Sequence, residues 1–349
     1  MATTPIVWDS FNTYAVPTEF NGHLDVSGTA AVNQDSARSR TGNGSLVLAG
    51  ASGIASGSTL THSGMDAAYV VVNCAYYIST NPTFARAFVE IQRGSSAKAR
   101  VVINTDGTLR LDVGTTQVDV STSSVATDSI NYFEVVYRSD SSAGELALYL
   151  NGVLVADFTG NTEGVAGNVQ GIVFRSANNS TSTTVATRAN LSDVVIAVVD
   201  GTPDPADARL GAVTHSVIVP TSDITTDGTP STGSDNFAMV DEIPNDGDTT
   251  HVEFATTGDA DLYGHSSTLP AETTPLGVAV FSTQRLPSGG STQVRHNINN
   301  TSTTVNGSDL GVGGDYAVKA NFWDESPFTT AAWTKAEVEG LRFGVEARP

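Results

Sequence analysis

Short runs of apolar and β-branched residues recur along the whole chain, and each run ends in Gly, Asn, Asp or Ser. Residues 45–48, 69–78 and 191–199 are examples. Residues 84–93 alternate between apolar and polar side chains, which is the pattern of a strand with one buried face. Closely spaced strands without helices between them are typical of antiparallel sandwiches and barrels. The chain is therefore predicted to be all-β.

Two turn dipeptides predict hairpins within this series. Asp106-Gly107 and Asn151-Gly152 each separate two strand-like runs. Both dipeptides accept the positive φ angles that a tight hairpin turn needs. Each pair of runs is therefore expected to form neighbouring antiparallel strands.

The composition changes at residues 200–209, where Pro, Gly and Asp concentrate. Such a segment predicts a domain boundary. We therefore expect one domain over residues 1–203 and a second over residues 204–349. The second domain is expected to begin with a strand at residues 212–220 and to leave 222–234 as a loop.

The C-terminal region contains one helix signal. Thr334 is followed three residues later by Glu337, which is the spacing of a capping box. A helix of one to two turns is predicted over 335–340, with a final strand after it. The predicted fold class is an antiparallel jelly-roll β-sandwich followed by a second, smaller β-sandwich with one short C-terminal helix.

The charge of the chain excludes some partners. It has 37 acidic against 17 basic residues, so its formal net charge is −20. An acidic surface repels phosphate backbones, and nucleic-acid binding is not expected. No signal peptide and no membrane span are recognisable, so we expect a protein made in a cytoplasm, without a membrane partner. The single cysteine, Cys74, lies in an apolar run and is expected to be a buried core residue.

One stretch resembles a known type of domain. Residues 129–154 contain a strand-like run and then Leu-Tyr-Leu-Asn-Gly at 148–152. This is similar to the late strands of concanavalin A-like, laminin G-like jelly rolls. The resemblance implies that the first domain is such a jelly roll.

A second, ordered series of motifs resembles a family of uncharacterised bacteriophage virion proteins. The motifs occupy residues 191–196, 210–220, 229–233, 236–242, 247–252, 258–263 and 332–345. That family usually has an aromatic residue before the Thr-Pro-Ser-Thr-Gly segment at 229–233, where this chain has Asp227-Gly228.

The resemblance implies a structural protein of the virion, exposed on the particle as capsid decoration, head fibre or tail component. It would act by assembling into a homo-oligomer, with a trimer as the expected state, and by attaching to other virion proteins. The family has no catalytic residues to transfer to this chain.

The sequence predicts no enzyme. Glycoside hydrolysis needs two acids across a groove, but no strand carries them at alternate positions. The nearest acid pairs are Asp241-Glu242, Asp246 and Asp248, Asp259 and Asp261, and Asp324-Glu325. Each pair lies in a turn-rich stretch, where acids commonly cap turns. No nucleophile motif or phosphate-binding loop is present.

No metal site or cofactor is predicted, although one segment could hold Ca²⁺. Residues 235–261 contain eight acids and no Lys or Arg, and Ca²⁺ prefers oxygen ligands. The solvated acidic face is the simpler interpretation, because no EF-hand pattern is present. The histidines are scattered without metal-ligand spacing, which argues against zinc; they are His23, His62, His215, His251, His265 and His296.

The alternative function is a lectin-like module that recognises host surface glycans. Sandwiches of this kind can stack exposed aromatic rings on sugars, although aromatic residues in strands more often pack in the core. The aromatic residues considered as platforms are Trp8, Tyr14, Tyr76, Tyr77 and Tyr263.

Overall fold

A computed structural model describes residues 3–9, 11, 24–33, 38–40, 44–50, 57–177, 189–286 and 292–349. The chain forms two compact units, and the division falls between His215 and Ser216. Both units are built from antiparallel sheets with two short α-helices in total among the described residues. The predicted fold class is confirmed.

The first unit contains fifteen of the described strands. In chain order they are β1 (Thr3–Asp9), β2 (Asp25–Ser27), β3 (Ala30–Asn33), β4 (Ser45–Leu48), β5 (Thr59–Ala67), β6 (Tyr69–Ile78), β7 (Arg86–Arg93), β8 (Ser96–Ile103), β9 (Thr108–Val113), β10 (Thr116–Ser124), β11 (Ser129–Arg138), β12 (Gly144–Leu150), β13 (Val153–Gly160), β14 (Val169–Arg175) and β15 (Ala189–Val199). Sheet A has the order β13-β12-β11-β6-β15-β4-β3, with β1 also paired to β15. Sheet B has the order β10-β9-β8-β7-β14-β5-β2.

Aromatic side chains join the two sheets. The ring of Phe88 on β7 lies 5.4 Å from that of Tyr76 on β6 and 4.7 Å from that of Phe133 on β11. The Tyr76 hydroxyl donates to the Arg175 carbonyl at 2.8 Å, which satisfies the polar end of this buried side chain. Cys74 is also fully buried, and burial raises the pKa of its thiol. It is a core residue, as expected.

Both predicted hairpins are present. Strands β8 and β9 pair across the turn that contains Gly107, which has φ +83°. Strands β12 and β13 pair across Asn151 and Gly152, whose φ angles are +50° and +86°. Only residues that tolerate left-handed backbone fit these turns without strain, so the dipeptides fix the register of both hairpins.

Three strands of sheet B, namely β2, β5 and β10, were not predicted. Of the two longer ones, β5 and β10 are both rich in polar residues; most side chains of β10 are exposed, and those of β5 are a mixture of exposed, intermediate and buried. They lack the apolar alternation that marks a strand in sequence. They form strands because each pairs with a more apolar neighbour, β14 and β9 respectively.

The residues that follow the predicted domain boundary do not have the predicted secondary structure. Residues 204–215 belong to the first unit, where a short helix α1 (Pro205–Ala208) leads into an extended strap (residues 209–215). The predicted strand at 212–220 is wrong, and the strand β16 (Ser222–Thr226) lies in the predicted loop. The strap forms no ladder because side chains of sheet A bind its backbone: the Glu134 carboxylate accepts from the N–H groups of Leu210 and Gly211.

The second unit contains the remaining strands and a helix. They are β16, β17 (Thr229–Pro230), β18 (Val252–Glu253), β19 (Ala260–Gly264), β20 (Val278–Gln284), β21 (Gln293–Asn299), β22 (Thr304–Asn306), β23 (Leu310–Gly311), β24 (Ala317–Trp323), α2 (Lys335–Glu339) and β25 (Arg342–Arg348). Sheet C has the order β16-β19-β25-β21-β22, with β23 also paired to β21. Strands β20 and β24 form a separate ribbon.

The core of the second unit joins sheet C, the ribbon and α2. It includes Ile298 from β21, Val280 and Trp323 from the ribbon, and Val338 from α2. The predicted helix is confirmed, and both halves of its capping box are formed by Thr334 and Glu337. Among the described residues, no helix has the length and apolar character needed to cross a membrane.

Replacing Thr334 with alanine is expected to destabilise the second unit by about 1 kcal/mol, because the substitution leaves helix N–H groups without an acceptor. Thr334→Ser keeps the hydroxyl and should retain most of the stability. Urea unfolding followed by tryptophan fluorescence measures the difference. Equal losses in the two variants would show that the cap does not stabilise α2.

Candidate functional site

A row of charged side chains crosses one face of sheet B. Glu90 on β7 pairs with Arg100 on β8, and Arg100 pairs in turn with Asp112 on β9. Residues directly opposite each other in antiparallel strands share a face. The neighbours of Glu90 along the strand, Val89 and Ile91, are fully buried. A β-bulge between Ala87 and Val89 lets both Phe88 and Val89 face the core, and Arg100, opposite Glu90, is partly exposed, so the charged row lies on the outer face of the sheet.

The carboxylate of Glu90 is 2% exposed, and both of its oxygens are bonded. Oε1 accepts from Arg100 Nε at 3.0 Å, and Oε2 accepts from Arg175 Nη2 at 3.1 Å and from Gln92 Nε2 at 2.9 Å. Charge-assisted hydrogen bonds of this kind are strong and directional. Because the NH₂ group of Gln92 is held by Glu90, its amide oxygen is the end that remains for another partner.

A groove of about 340 Å³ lies beside this network. It is lined by Thr61, Ser63, Gly64, Met65, Gln92, Gly94, Gln170 and Gly171. Gly171 on β14 is in register with Ser63 on one side and Gln92 on the other. Since glycine has no side chain, the sheet surface is depressed between those two residues. A Cβ at Gly171 would also lie 3.0 Å from the His62 carbonyl oxygen.

The groove offers uncharged donors and acceptors. Gln170 Oε1 accepts from the Gly94 N–H at 3.0 Å, which leaves the NH₂ group of Gln170 as a donor. Gln92 contributes its amide oxygen as an acceptor, and Thr61 and Ser63 contribute hydroxyl groups that can do both. A ligand that bears several hydroxyl groups matches this set, because each hydroxyl also donates and accepts.

The buried carboxylates of this face are not placed for acid–base catalysis. Glu90 accepts hydrogen bonds from Arg100 and Arg175. Asp112 accepts two hydrogen bonds from Arg110, at 2.8 and 2.9 Å. Glycoside hydrolysis requires one acid that can donate a proton and a second that acts as base or nucleophile. Here each carboxylate is paired with arginine, so the groove supplies groups for binding.

Among the described residues, the aromatic side chains proposed from the sequence as platforms do not line this groove. Tyr76 and Tyr263 are buried, and the Tyr77 hydroxyl bonds to Asp128. Trp8 is half-buried on β1, while Tyr14 lies outside the described residues. The groove side chains come from three strands that are distant in sequence, and no local motif marks them. This is why sequence reasoning did not find the groove.

The motif series at 227–263 forms a buried network in the second unit. Asp261 is fully buried, and its Oδ1 accepts from the N–H groups of Asp227 and Gly228, both at 2.9 Å. Its Oδ2 accepts from Asn236 Nδ2 at 2.6 Å and from the Tyr263 hydroxyl at 2.8 Å. Burial, together with the Asp261 charge, raises the pKa of the tyrosine. These residues hold the loops around β19 in place.

The Asp227-Gly228 pair, which stands where the resemblance leads us to expect an aromatic residue, fits this network. A Cβ at Gly228 would lie 2.4 Å from a methyl carbon of Val252 and 3.2 Å from Asp261 Oδ2. An aromatic side chain at this position would require the network to rearrange.

Other acidic side chains of residues 235–261 accept hydrogen bonds within turns or from neighbouring side chains. Asp246 and Asp259 accept from the backbone N–H groups of Thr250 and Thr256 respectively. Asp248 accepts from the Tyr316 hydroxyl, a bond that lowers the pKa of this carboxyl. Within the described ranges, no group of three or more His, Cys, Asp or Glu side chains could hold a metal ion. Asp246 and Asp259 of the acidic segment 235–261 act as turn caps.

Sequence reasoning also missed a polar cluster in the second unit. Ser282 on β20, His296 on β21 and Asn321 on β24 are linked by hydrogen bonds of 2.6 and 2.9 Å. The histidines looked scattered in the sequence, and the three strands that carry this cluster come together only in the fold.

No family model and no curated protein matches the sequence. Among solved structures, Cellulose induced protein Cip1 is 14% identical, with 55% of this chain and 97% of that chain covered and a TM-score of 0.41. A second similar structure is domain 4 of AbnA, a GH43 extracellular arabinanase from Geobacillus stearothermophilus, in complex with arabinotriose. It is 14% identical, and the match covers 60% of this chain and 98% of that chain, with a TM-score of 0.39. The W1252A mutant of HCR D/C is 11% identical. The match covers 93% of this chain and 79% of that chain, with a TM-score of 0.37. Similarity at this level assigns neither a family nor a ligand.

Proposed function

We propose that the first unit is a carbohydrate-binding module and that a neutral glycan binds in the groove on sheet B. The observation that carries the proposal is the uncharged set of amide and hydroxyl groups around Gly171. The Glu90 network supports it, because that network fixes the orientation of the Gln92 amide. A few fixed polar groups in a concave surface are what specific recognition of a small ligand requires.

The proposed mode of binding relies on hydrogen bonds. A pyranose ring could lie over Gly171 with its hydroxyl groups towards Gln92, Gln170 and Ser63. Met65 is 8% exposed and could supply a small apolar contact for the C–H face of the ring. Binding of this type needs no aromatic platform.

A glycan array probed with the full-length chain tests the proposal, followed by calorimetric titration with the best oligosaccharide. Replacing Gln92 with alanine should weaken binding about fivefold, since one hydrogen bond contributes on the order of 1 kcal/mol. The matched control is Gln117→Ala, an exposed glutamine of β10 outside the groove. An array without any bound glycan, or equal affinities in the two variants, would refute the groove as the site.

A second function is favoured by the ordered motif series that resembles bacteriophage virion proteins. We propose on this basis that the chain is a structural protein on the surface of a virion, assembled as a homo-oligomer and attached to other virion proteins. The buried Asp261 network supports the proposal in one respect, because it joins Asn236, Asp261 and Tyr263, which belong to two of the motifs. Glycan binding and virion attachment could occur in the same chain.

Light scattering of the purified chain tests the assembly proposal. A discrete species several times the chain mass of 36.1 kDa is expected. Recovery of the chain in fixed stoichiometry with purified particles would support the virion role. A monomer that does not sediment with particles would count against it while leaving glycan binding intact.

A further inference from the structure

The orientation of one buried amide, Asn321, is fixed by the backbone. Its Oδ1 accepts from the His296 backbone N–H at 3.1 Å, and its Nδ2 donates to the Ser308 carbonyl at 3.3 Å. A backbone N–H can only donate and a carbonyl can only accept. Gly307 provides the space, because a Cβ there would lie 2.3 Å from Asn321 Cγ.

This orientation determines the tautomer of His296. Asn321 Oδ1 lies 2.9 Å from His296 Nδ1, so Nδ1 carries the hydrogen and donates. The imidazole is fully buried, and burial lowers its pKa to about 4. At neutral pH the ring is therefore uncharged, and Nε2 has a free lone pair.

The remaining hydrogen bond of the ring orients a serine. Ser282 Oγ lies 2.6 Å from His296 Nε2, and because Nε2 is an acceptor, the serine hydroxyl donates to it. Gln284 Nε2 donates to the same Oγ at 2.6 Å. Unlike the imidazole, Ser282 is only half-buried. The hydroxyl proton is thus directed at a base, on a serine residue that is not fully buried.

We propose that Ser282 is a nucleophile for acyl transfer, with His296 as its general base and Asn321 as a positioning residue. The arrangement satisfies the geometric conditions for an activated serine: a nucleophile bonded to a base, and a base oriented by a third group. Lys319 is the cross-strand partner of Ser282 in the ribbon, so the two side chains lie on the same face of it.

The substrate class is a small carboxylic ester. Ser282 Oγ would attack the carbonyl carbon as its proton passes to His296 Nε2, and the Lys319 ammonium would stabilise the negative oxygen that develops. The C–O bond to the alcohol then breaks, and the alcohol leaves with the proton from the imidazole. Water hydrolyses the acyl-serine through the same base, which yields the carboxylic acid and restores the serine. This chemistry belongs to the second unit and does not depend on the groove in the first.

A fluorophosphonate probe incubated with the full-length chain tests the proposal, with intact mass and peptide mapping as the readout. One probe per chain is expected, attached to Ser282. Labelling should be abolished in Ser282→Ala, and its rate should fall at least about 100-fold in His296→Gln, which is the usual contribution of a general base. The control is Ser302→Ala, a substitution in the turn between β21 and β22. This variant should be labelled by the probe at the same rate as the unmodified chain.

Two further readouts separate a reactive serine from a merely structural hydrogen bond. Asn321→Asp keeps the acceptor for Nδ1 and should retain labelling, whereas Asn321→Leu should lose it. The labelling rate should also be constant near neutral pH and fall near pH 4, as His296 becomes protonated. A folded chain that is not labelled at Ser282, or whose labelling is unaffected by His296→Gln, would overturn the proposal.

Discussion

Replacing Glu134 with alanine is expected to destabilise the first unit by about 3–5 kcal/mol, the usual cost of removing one partner of a buried ion pair. The Glu134 side chain is 1% exposed and accepts from Arg209 Nε at 2.6 Å. Its other oxygen accepts from the Leu210 and Gly211 N–H groups at 2.8 and 2.9 Å. The substitution removes the acceptor for all three donors at once.

The loss of stability in Glu134→Ala should appear first in the strap. Hydrogen exchange of the Leu210 and Gly211 amides should accelerate in Glu134→Ala, and urea unfolding should give the free-energy difference. Asp66→Asn, an exposed acid on β5, is the matched control and should change stability by less than about 0.5 kcal/mol. Unchanged exchange at both amides would show that Glu134 does not hold the strap.

The second unit is expected to lose about 3 kcal/mol of stability between pH 6.5 and pH 4 through one residue, His296. Burial lowers the native-state pKa of this histidine from 6.5 to about 4. As the pH falls below 6.5, the unfolded chain binds a proton that the folded unit does not bind. Each pKa unit corresponds to about 1.4 kcal/mol, so the folded state is progressively disfavoured across this window and is fully stabilised only above it.

Urea unfolding at a series of pH values measures this effect. Trp8→Phe removes the tryptophan of the first unit, so the fluorescence then reports Trp323 and Trp333 in the core of the second. His296→Gln cannot be protonated and should show a much flatter profile between pH 6.5 and 4. An equally steep loss of stability in that variant would assign the pH dependence to other groups.

Much of the fold is determined by local sequence patterns. The apolar run at 45–48 coincides with β4, and the turn dipeptides mark both hairpins. Strand β10 could not be predicted, because its polar sequence TQVDVSTSS forms a strand only through pairing with β9. Local sequence patterns identify a strand by its apolar face, and a strand whose side chains are mostly exposed has no such face.

The strap shows a different limit of sequence reasoning. Residues 212–220 have the composition of a strand, but Glu134 and Tyr132 provide the partners that a neighbouring strand would otherwise supply. The Tyr132 hydroxyl accepts from the Val213 N–H at 3.0 Å and donates to the Gly211 carbonyl at 2.9 Å. Such long-range side-chain contacts leave no periodic signal in the sequence.

The two candidate sites were missed for the same physical reason. The groove combines residues near 61, 92 and 170 because β5, β14 and β7 are neighbours in sheet B. Likewise, His296 was one of several scattered histidines until the fold placed it between Ser282 and Asn321. Sites assembled from separate strands become visible only when strand order is known.

We propose above all that the groove on sheet B binds a glycan. Backbone amide chemical shifts of isotope-labelled protein, measured during titration with the best oligosaccharide from the array, test it most directly. The predicted result is that the largest shift changes occur at Gly64, Gly94 and Gly171, which line the groove. Changes confined to the second unit, or no change at saturating oligosaccharide, would contradict the claim.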